Sequence, residues 1–366
     1  MSSAIENQLL VFVGTYADAR TEGVHVFELD PKSGSLTRLG GAAGAGNPSF
    51  LALHPNGKYL YAASEIGGFE GKPTGAVAAF ALDEKTHLPT LLNQQPSEGN
   101  GTCHVSVEPK GRCVLAANYG GGSVASLPVG QDGRLKPPAS SVKHEGASRA
   151  NPKRQDKPYA HSIIPDPAGK FAVAADLGLD RLLVYKLDPA AGTLTPNDPP
   201  FAALKPGAGP RHTAFHPGGK YLYAINELDS TMTVFQWDGK AGKLTEVQNL
   251  STLPEGYSGT NHPAEVVVHP NGRHVYGSNR GQDSIVHYAV DPAKGTLKME
   301  GHTPTGGKNP RNFAIDPSGR FLIAANQDTN NLVVFRLDER TGRPTPTGET
   351  ATVTKPVCVR YLTVSA

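Results

Sequence analysis

The chain has 366 residues, of which 42 are glycine and 31 are proline, so turns interrupt it often. Its formal net charge is +2, and its Lys, Arg, Asp and Glu residues are interspersed, which argues against nucleic acid or a membrane surface as a partner. No apolar run reaches the roughly 18 residues that span a bilayer, so we predict a soluble chain. Any affinity for anions must then be local.

The first predicted element is the apolar stretch LLVFVG, residues 9–14. No basic segment precedes it and no small-residue cleavage site follows it cleanly, so we interpret it as a β-strand and not as part of a signal peptide. The three cysteines, Cys103, Cys113 and Cys358, are an odd number without metal-ligand spacing. This argues against a disulfide framework and favours a reducing compartment, so we predict a cytoplasmic location.

One phrase recurs along the rest of the chain. Its six copies are HPNGKYLYAAS (54–64), EPKGRCVLAAN (108–118), DPAGKFAVAAD (166–176), HPGGKYLYAIN (216–226), HPNGRHVYGSN (269–279) and DPSGRFLIAAN (316–326). Each copy is a Pro and Gly turn that leads into a strand rich in aromatic and aliphatic residues, which is the chemistry of a tight turn between antiparallel strands. A short strand precedes each turn, and two more strands follow each copy. Four short strands in a period near fifty residues predict a β-propeller blade.

The two ends of the chain complete the count. LLVFVGTY and GVHVFELD match the second and third strands of a blade, and the C-terminal PVCVRYLTV matches the missing first strand. We therefore predict an all-β fold, a seven-bladed β-propeller of four-stranded antiparallel blades, with one blade shared by both termini and a single domain over residues 1–366. A pair of β-sandwiches would explain neither the sixfold phrase nor the split blade.

Two columns of positions are expected to meet at one mouth of the central channel, because the first strand of each blade lines that channel. The first column holds Ser49, Cys103, His161, Arg211, Ala264 and Arg311, and its neighbouring residues are Phe50, His104, Ser162, His212, Glu265 and Asn312. The second column follows the repeated phrase and holds Glu65, Tyr119, Leu177, Glu227, Arg280 and Gln327. Structural positions in the same strands repeat as apolar residues, whereas these columns vary and concentrate ionisable groups.

Converging ionisable groups in a concave site favour binding or catalysis. The predicted catalytic residues are His161, Glu227, Arg211 and Arg280, and the predicted substrate-binding residues are Arg311, His104, His212, Tyr159 and Tyr119. Taken singly, Arg211 and Glu227 also fit an inter-blade ion pair, and Arg280 fits a loop cap. His262 and Glu265 lack a third ligand at recognisable spacing, so we predict neither a metal site nor a cofactor. The histidines of the HP turns, His54, His216 and His269, are interpreted as turn residues at the opposite end of the strand.

Several of these motifs resemble those of a known family. NPKRQDKPYAHS, GPRHTAFHPGGKYLYAINE, SNRGQDSI, NPRNFAIDPSGRFLIAANQ and PVCV are similar to the seven-bladed propeller lactonases, which include bacterial 6-phosphogluconolactonases and fungal 3-carboxy-cis,cis-muconate cyclases. The similarity spans essentially the whole chain. In the muconate-cyclising relatives, the proposed active site uses a His, two Arg and a Glu, which match His161, Arg211, Arg280 and Glu227 by motif. Many bacterial relatives have PHAHS where this chain has PYAHS, so Tyr159 is a departure that implies altered specificity.

The resemblance implies hydrolysis of an anionic sugar lactone, most simply 6-phosphogluconolactone, without a cofactor. His161 would then take a proton from water, Glu227 would orient the water or the imidazole, and Arg211 or Arg280 would hold the oxyanion. The remaining arginine and Arg311 would bind the anionic tail. A muconolactone-forming or muconolactone-opening lyase uses the same groups and stays open as the alternative, and a non-catalytic propeller for protein contacts is the third reading.

Overall fold

The structure, a computed structural model, describes residues 8–364. Over this range it contains 28 β-strands arranged as seven four-stranded sheets, which we number as blades 1 to 7. Blade 1 contains, from the channel outwards, β28 (Pro356–Val364), β1 (Gln8–Thr15), β2 (Val24–Leu29) and β3 (Leu36–Ala42). Blade 2 contains β4 (Pro48–Leu53), β5 (Tyr59–Ser64), β6 (Ala76–Leu82) and β7 (Pro89–Pro96).

The other five blades follow in chain order, each again given from the channel outwards. Blade 3 contains β8 (Thr102–Val107), β9 (Cys113–Asn118), β10 (Ser123–Pro128) and β11 (Ser140–Lys143). Blade 4 contains β12 (Ala160–Pro165), β13 (Phe171–Asp176), β14 (Arg181–Asp188) and β15 (Thr193–Ala203). Blade 5 contains β16 (Pro210–Phe215), β17 (Tyr221–Asn226), β18 (Thr231–Asp238) and β19 (Lys243–Ser251). Blade 6 contains β20 (His262–Val268), β21 (His274–Arg280), β22 (Ser284–Val290) and β23 (Leu297–Pro304), and blade 7 contains β24 (Pro310–Ile315), β25 (Phe321–Asn326), β26 (Asn331–Leu337) and β27 (Pro344–Thr352).

The innermost strands form a closed ring. They contact one another in the order β4, β8, β12, β16, β20, β24 and β28, and β28 in turn contacts β4. Blade 1 is closed by antiparallel pairing of β1 with β28, from Gln8 opposite Val364 to Thr15 opposite Pro356. The predicted seven-bladed propeller with one blade shared by the two ends of the chain is therefore confirmed.

The apolar core lies between successive blades, because each twisted sheet packs one face on its neighbour. Between blades 4 and 5, for example, Phe171, Val173, Leu222 and Phe235 are buried together with Trp237. Full burial of one such side chain contributes roughly 1.5–3 kcal/mol to folding. The described residues contain no helix of the length and apolarity needed to cross a bilayer.

The HP-turn histidines tie neighbouring blades together. His54 Nε2 donates to the carbonyl oxygen of Gly111 in the next blade at 3.1 Å, and its Nδ1 accepts the backbone N–H of Asn56 at 3.2 Å. His216 and His269 make the equivalent bonds to the next turn glycine, both at 2.9 Å. A Cβ atom on Gly111 would lie 2.0 Å from the His54 ring, and the residue has φ +76°, so only glycine fits this close approach.

Candidate active site

A register shift near the start of each innermost strand decides which side chains reach the channel mouth. In blade 4, Ala160 lies opposite Asp176 and Ser162 lies opposite Ala175, so His161 has no residue facing it. The same shift isolates Ser49, Cys103, Arg211 and Arg311 in their blades. A bulge leaves its extra residue unpaired and redirects the side chain. Two consecutive residues of one strand can therefore serve different depths of the channel.

One mouth of the channel opens into a cavity of about 290 Å³. Five residues predicted from the sequence line it: His161, Glu227, Arg280, Arg311 and Tyr119. They come from blades 3 to 7, which the ring places around this mouth. The structure thus brings together side chains that lie as far as 192 residues apart in the chain, from Tyr119 to Arg311.

Glu227 is the electrostatic centre of this cavity. Its Oε2 accepts hydrogen bonds from Arg211 Nε at 3.0 Å and Arg280 Nη2 at 2.8 Å, and its Oε1 accepts one from Arg154 Nη2 at 2.6 Å. Burial alone would raise the pKa of Glu227, but the guanidiniums of Arg280 and Arg211 hold that pKa well below its usual range. Glu227 is therefore an anion at neutral pH and a weak proton acceptor in this arrangement.

Arg211 lies below the cavity and not on its surface. Its side chain is 2% exposed, its Nη1 donates to the Ala264 carbonyl oxygen at 2.6 Å, and its Nε holds Glu227. The same Nη1 lies 3.2 Å from His212 Nε2. Arg211 and Glu227 therefore form an ion pair, but within blade 5 and not between two blades as the alternative interpretation of the sequence had it. The pair borders the shared cavity, since Glu227 also lines it.

His161 is buried at the cavity wall in its neutral form. Burial lowers its pKa well below the usual value near 6.5, and the neighbouring Arg211 guanidinium lowers it further. Its Nδ1 lies 3.7 Å from Cys103 Sγ, and its ring centroid lies 5.2 Å from that of Tyr119. Burial raises the pKa of the Cys103 thiol to about 12, so the thiol is protonated at neutral pH. A neutral imidazole is the form that can accept a proton.

Arg311 and Glu65 both line the cavity, and both contact Tyr16. Glu65 lines the cavity and accepts a hydrogen bond from the Tyr16 hydroxyl at 2.9 Å. The Arg311 guanidinium lies over the Tyr16 ring, 5.5 Å from its centroid. The cavity and its floor thus hold four arginines, Arg154, Arg211, Arg280 and Arg311, against the carboxylates Glu65 and Glu227. This excess of positive charge suits an anionic ligand.

Sequence reasoning missed Arg154. It lies in the long connection from β11 to β12, outside the repeated phrase, among several basic residues of NPKRQDKPYAHS. A backbone turn closes there, because the N–H of Gln155 donates to the Asn151 carbonyl oxygen at 2.8 Å, and the Gln155 side chain is buried. The only signal in the sequence is this basic run beside His161, and nothing in it distinguishes Arg154 from Lys153 or Lys157. Glu65, Cys103 and His262 also line the cavity. Glu65 and Cys103 stand in the two columns expected at this mouth, but none of the three was among the predicted catalytic or substrate-binding residues.

The structure does not bring three predicted substrate-binding residues to this cavity. His104 and His212 lie deeper in the channel, with ring centroids 5.3 Å apart, and line a cavity of about 320 Å³ on its other side. His212 Nδ1 donates to Glu265 Oε1 at 3.0 Å. The bulge explains why His104 and His212 do not reach this cavity, because each of them directly follows the residue that the bulge leaves unpaired. Tyr159 lies outside the cavity lining, where its ring is tilted by 34° against that of Tyr119 with the centroids 4.8 Å apart, and its hydroxyl donates to Asp156 at 2.8 Å.

Within residues 8–364, no group of three or more His, Cys, Asp and Glu side chains is arranged to hold a metal ion. The cavity carboxylates are instead occupied by guanidinium and hydroxyl donors.

A family model and two related proteins match most of this chain. The family model described as "Lactonase, 7-bladed beta-propeller" matches residues 10–361. The chain is 39% identical to the 6-phosphogluconolactonase of Bacillus subtilis over 81% of this chain and 82% of that protein. It is 35% identical to the 6-phosphogluconolactonase of Formosa agariphila over 82% and 84% of the two chains.

One solved structure is also similar to this chain along almost its whole length. The periplasmic gluconolactonase of Pseudomonas aeruginosa superposes with a TM-score of 0.91 at 33% identity, over 98% of this chain and 99% of that one. The family match over residues 10–361 includes all the blades that supply the cavity, and the superposition covers 98% of the chain. The chain belongs to the seven-bladed β-propeller lactonase family.

Proposed function

We propose that this protein hydrolyses a sugar lactone with an anionic tail, and that its substrate is 6-phosphogluconolactone. The observation that carries the proposal is a neutral, buried His161 on the wall of a cavity with a net excess of arginine. The names of the Bacillus subtilis and Formosa agariphila relatives support the substrate. The product would be 6-phosphogluconate.

The chemistry is a two-step acyl transfer to water. His161 removes a proton from a water molecule while the water oxygen attacks the lactone carbonyl carbon. The resulting tetrahedral intermediate collapses, the bond from the carbonyl carbon to the ring oxygen breaks, and the protonated imidazole returns its proton to that oxygen. Glu227 orients the water and the imidazolium that forms during the attack.

The arginines divide the remaining work. Arg280 stabilises the oxyanion, since it lines the cavity and its Nε and Nη2 are fixed by the His262 carbonyl oxygen and Glu227. Arg311, which lines the same cavity from the adjacent blade 7, binds the anionic tail. Arg211 acts as a positioning residue, because its guanidinium is below the floor and holds Glu227 in place. This assignment gives Arg211 a different role from the one expected from the sequence.

The muconolactone alternative uses the same residues, with the arginines binding carboxylates and His161 moving a proton at carbon. A side-by-side assay separates the two. Purified protein is given 6-phosphogluconolactone, neutral glucono-δ-lactone and a carboxymuconolactone, with and without a chelator. We expect the first substrate to have the highest kcat/KM, above its spontaneous hydrolysis, and the chelator to have no effect. Preference for the carboxymuconolactone, or activity lost to the chelator, would contradict the proposal.

We also propose a cytoplasmic location and a small anionic lactone as the partner, without nucleic acid. The described part of the chain contains three buried cysteines, Cys103, Cys113 and Cys358, all as free thiols. Free thiols are compatible with a reducing compartment. The Pseudomonas aeruginosa protein of similar structure is described as periplasmic, so fractionation of cells is the measurement that decides the location.

A further inference from the structure

Arg154 differs from Arg211 and Arg280, the other two arginines bound to Glu227, in how it is held. Arg211 and Arg280 each donate to a backbone carbonyl oxygen, at 2.6 Å and 2.9 Å, and their side chains are 2% and 14% exposed. The Arg154 guanidinium binds only side-chain oxygens, Glu227 Oε1 at 2.6 Å and the Tyr119 hydroxyl at 3.3 Å, and its side chain is 35% exposed. Moving it therefore breaks two side-chain bonds and leaves the propeller backbone intact.

The two oxygens of Glu227 have different partners. Oε2 is held by the fixed guanidiniums of Arg211 and Arg280, whereas the bond of Oε1 is to Arg154. As long as Arg154 is in place, Oε1 is occupied by a cation and is a poor acceptor for water. If Arg154 leaves, Oε1 becomes free while Oε2 still fixes the carboxylate, so its orientation persists.

The charge balance supplies a reason for Arg154 to leave. Glu227 neutralises only part of the positive charge of the Arg154 guanidinium, because this carboxylate already binds two other guanidiniums. A phosphate dianion in the cavity offers more negative charge and two oxygens in the geometry that a guanidinium binds in bidentate fashion. Of the three arginines bound to Glu227, Arg154 has the most exposed side chain, so it can turn to a phosphate at the lowest cost.

We propose that Arg154 is an anion-operated switch: the phosphate tail of the substrate draws its guanidinium from Glu227 Oε1, and the freed oxygen then orients the attacking water. This inference rests on the proposed lactonase function. It makes recognition of the tail and activation of the water one event. An unphosphorylated lactone leaves Arg154 on Glu227 and is hydrolysed slowly although its ring fits.

The first test measures both substrates with Arg154→Gln. We expect kcat/KM for 6-phosphogluconolactone to fall by about 100-fold, since a guanidinium on the phosphate is lost. We expect kcat for neutral glucono-δ-lactone to rise several-fold, because Oε1 is free at all times. The matched control is Lys153→Gln, which removes the same charge from the adjacent, exposed residue. It should change neither kcat/KM for 6-phosphogluconolactone nor kcat for glucono-δ-lactone by more than about twofold.

The second test supplies the tail as a separate molecule. Phosphite dianion is added to the wild-type protein with neutral glucono-δ-lactone, and we expect its kcat/KM to rise by about tenfold or more. Arg154→Gln should show no such activation. Equal losses for the two lactones in Arg154→Gln, or the absence of phosphite activation in the wild type, would overturn the switch. Absence of hydrolysis of both lactones by the wild type would instead overturn the proposed function.

Discussion

At the scale of a single residue, His161 shows how burial prepares a base. A histidine at the surface is half protonated near pH 6.5, whereas the wall of the cavity destabilises the imidazolium of His161. The cost of burial thus keeps the ring deprotonated over the whole physiological range. Because Cys103 Sγ lies 3.7 Å from Nδ1 of His161, the other ring nitrogen, Nε2, is the one available to the cavity.

We predict a pH profile that follows from this shift. A base acts when deprotonated, so activity is present above its pKa in the protein and is lost as the pH falls through it. Since the pKa of His161 is lowered, kcat/KM should stay level through pH 6.5 and decline only well below it. His161→Ala should reduce kcat by roughly 100- to 10,000-fold and retain the wild-type melting temperature. An acid limb at or above pH 6.5, or unchanged turnover in the variant, would refute the assignment.

At the scale of an element, the connection from β11 to β12 is ordered by one buried carboxylate. Asp180 Oδ1 accepts from Gln155 Nε2 and the Gly209 N–H, both at 2.7 Å. Its Oδ2 accepts from the Ser148 hydroxyl and, at 2.7 Å, from the Gly207 N–H. Asp180 therefore joins the turn that carries Arg154 to the segment that leads into Arg211.

Asp180→Asn tests this anchor. The amide group would place N–H donors against two existing donors, which costs roughly 1–3 kcal/mol of folding free energy by the usual penalty for unsatisfied buried groups. We expect denaturant unfolding to show that loss and KM for the phosphorylated lactone to rise several-fold more than kcat falls. The control is Asp338→Asn, an exposed turn carboxylate that also accepts backbone N–H groups but lies outside the cavity lining. Equal effects from the two variants would show that Asp180 is not a specific anchor.

The sequence was sufficient for positions that repeat and insufficient for those that do not. His161 stands at an aligned place before the repeated phrase, and Glu227 and Arg280 stand directly after it. Ionisable residues concentrate in these columns, so comparison of the copies predicted all three. Arg154 stands in a connection without a counterpart in the other blades, so no alignment could identify it. His104 and His212 were misplaced because a bulge leaves no mark in an alternating pattern, and it changes which of two neighbours faces the mouth.

At the scale of the whole molecule, closure depends on the pairing of strands from opposite ends of the chain. β28 is the innermost strand of blade 1 and also contacts the innermost strands of both adjacent blades. It buries Val357, Cys358 and Val359 and satisfies the edge of β1. Without it, the buried residues of β1 would meet water, and the ring would have two open edges.

We predict that truncation after Lys355 lowers the melting temperature by at least 10 °C or prevents folding. A synthetic peptide of residues 356–364 should raise the melting temperature of the truncated protein in proportion to the logarithm of its concentration, because it binds only the folded ring. Circular dichroism melting with the peptide and with a scrambled version measures this effect. Equal melting temperatures for the truncated and full-length proteins would contradict the role of the shared blade.

The bulges at the start of the innermost strands also separate the positions that face the mouth from those that hold the deeper channel together. Each one assigns adjacent residues to two tasks, so a substitution at His161 or Arg311 keeps the hydrogen bonds that join His212, Glu265 and Asn312 in the deeper layer. Arg211 is the exception, because its Nη1 lies 3.2 Å from His212 Nε2. Ser49 occupies a bulge position with a small side chain, beside a smaller cavity that Arg311 also lines. New substrates can therefore be accommodated by exchanging one such residue at a time, and the ring can vary its chemistry while its shape persists.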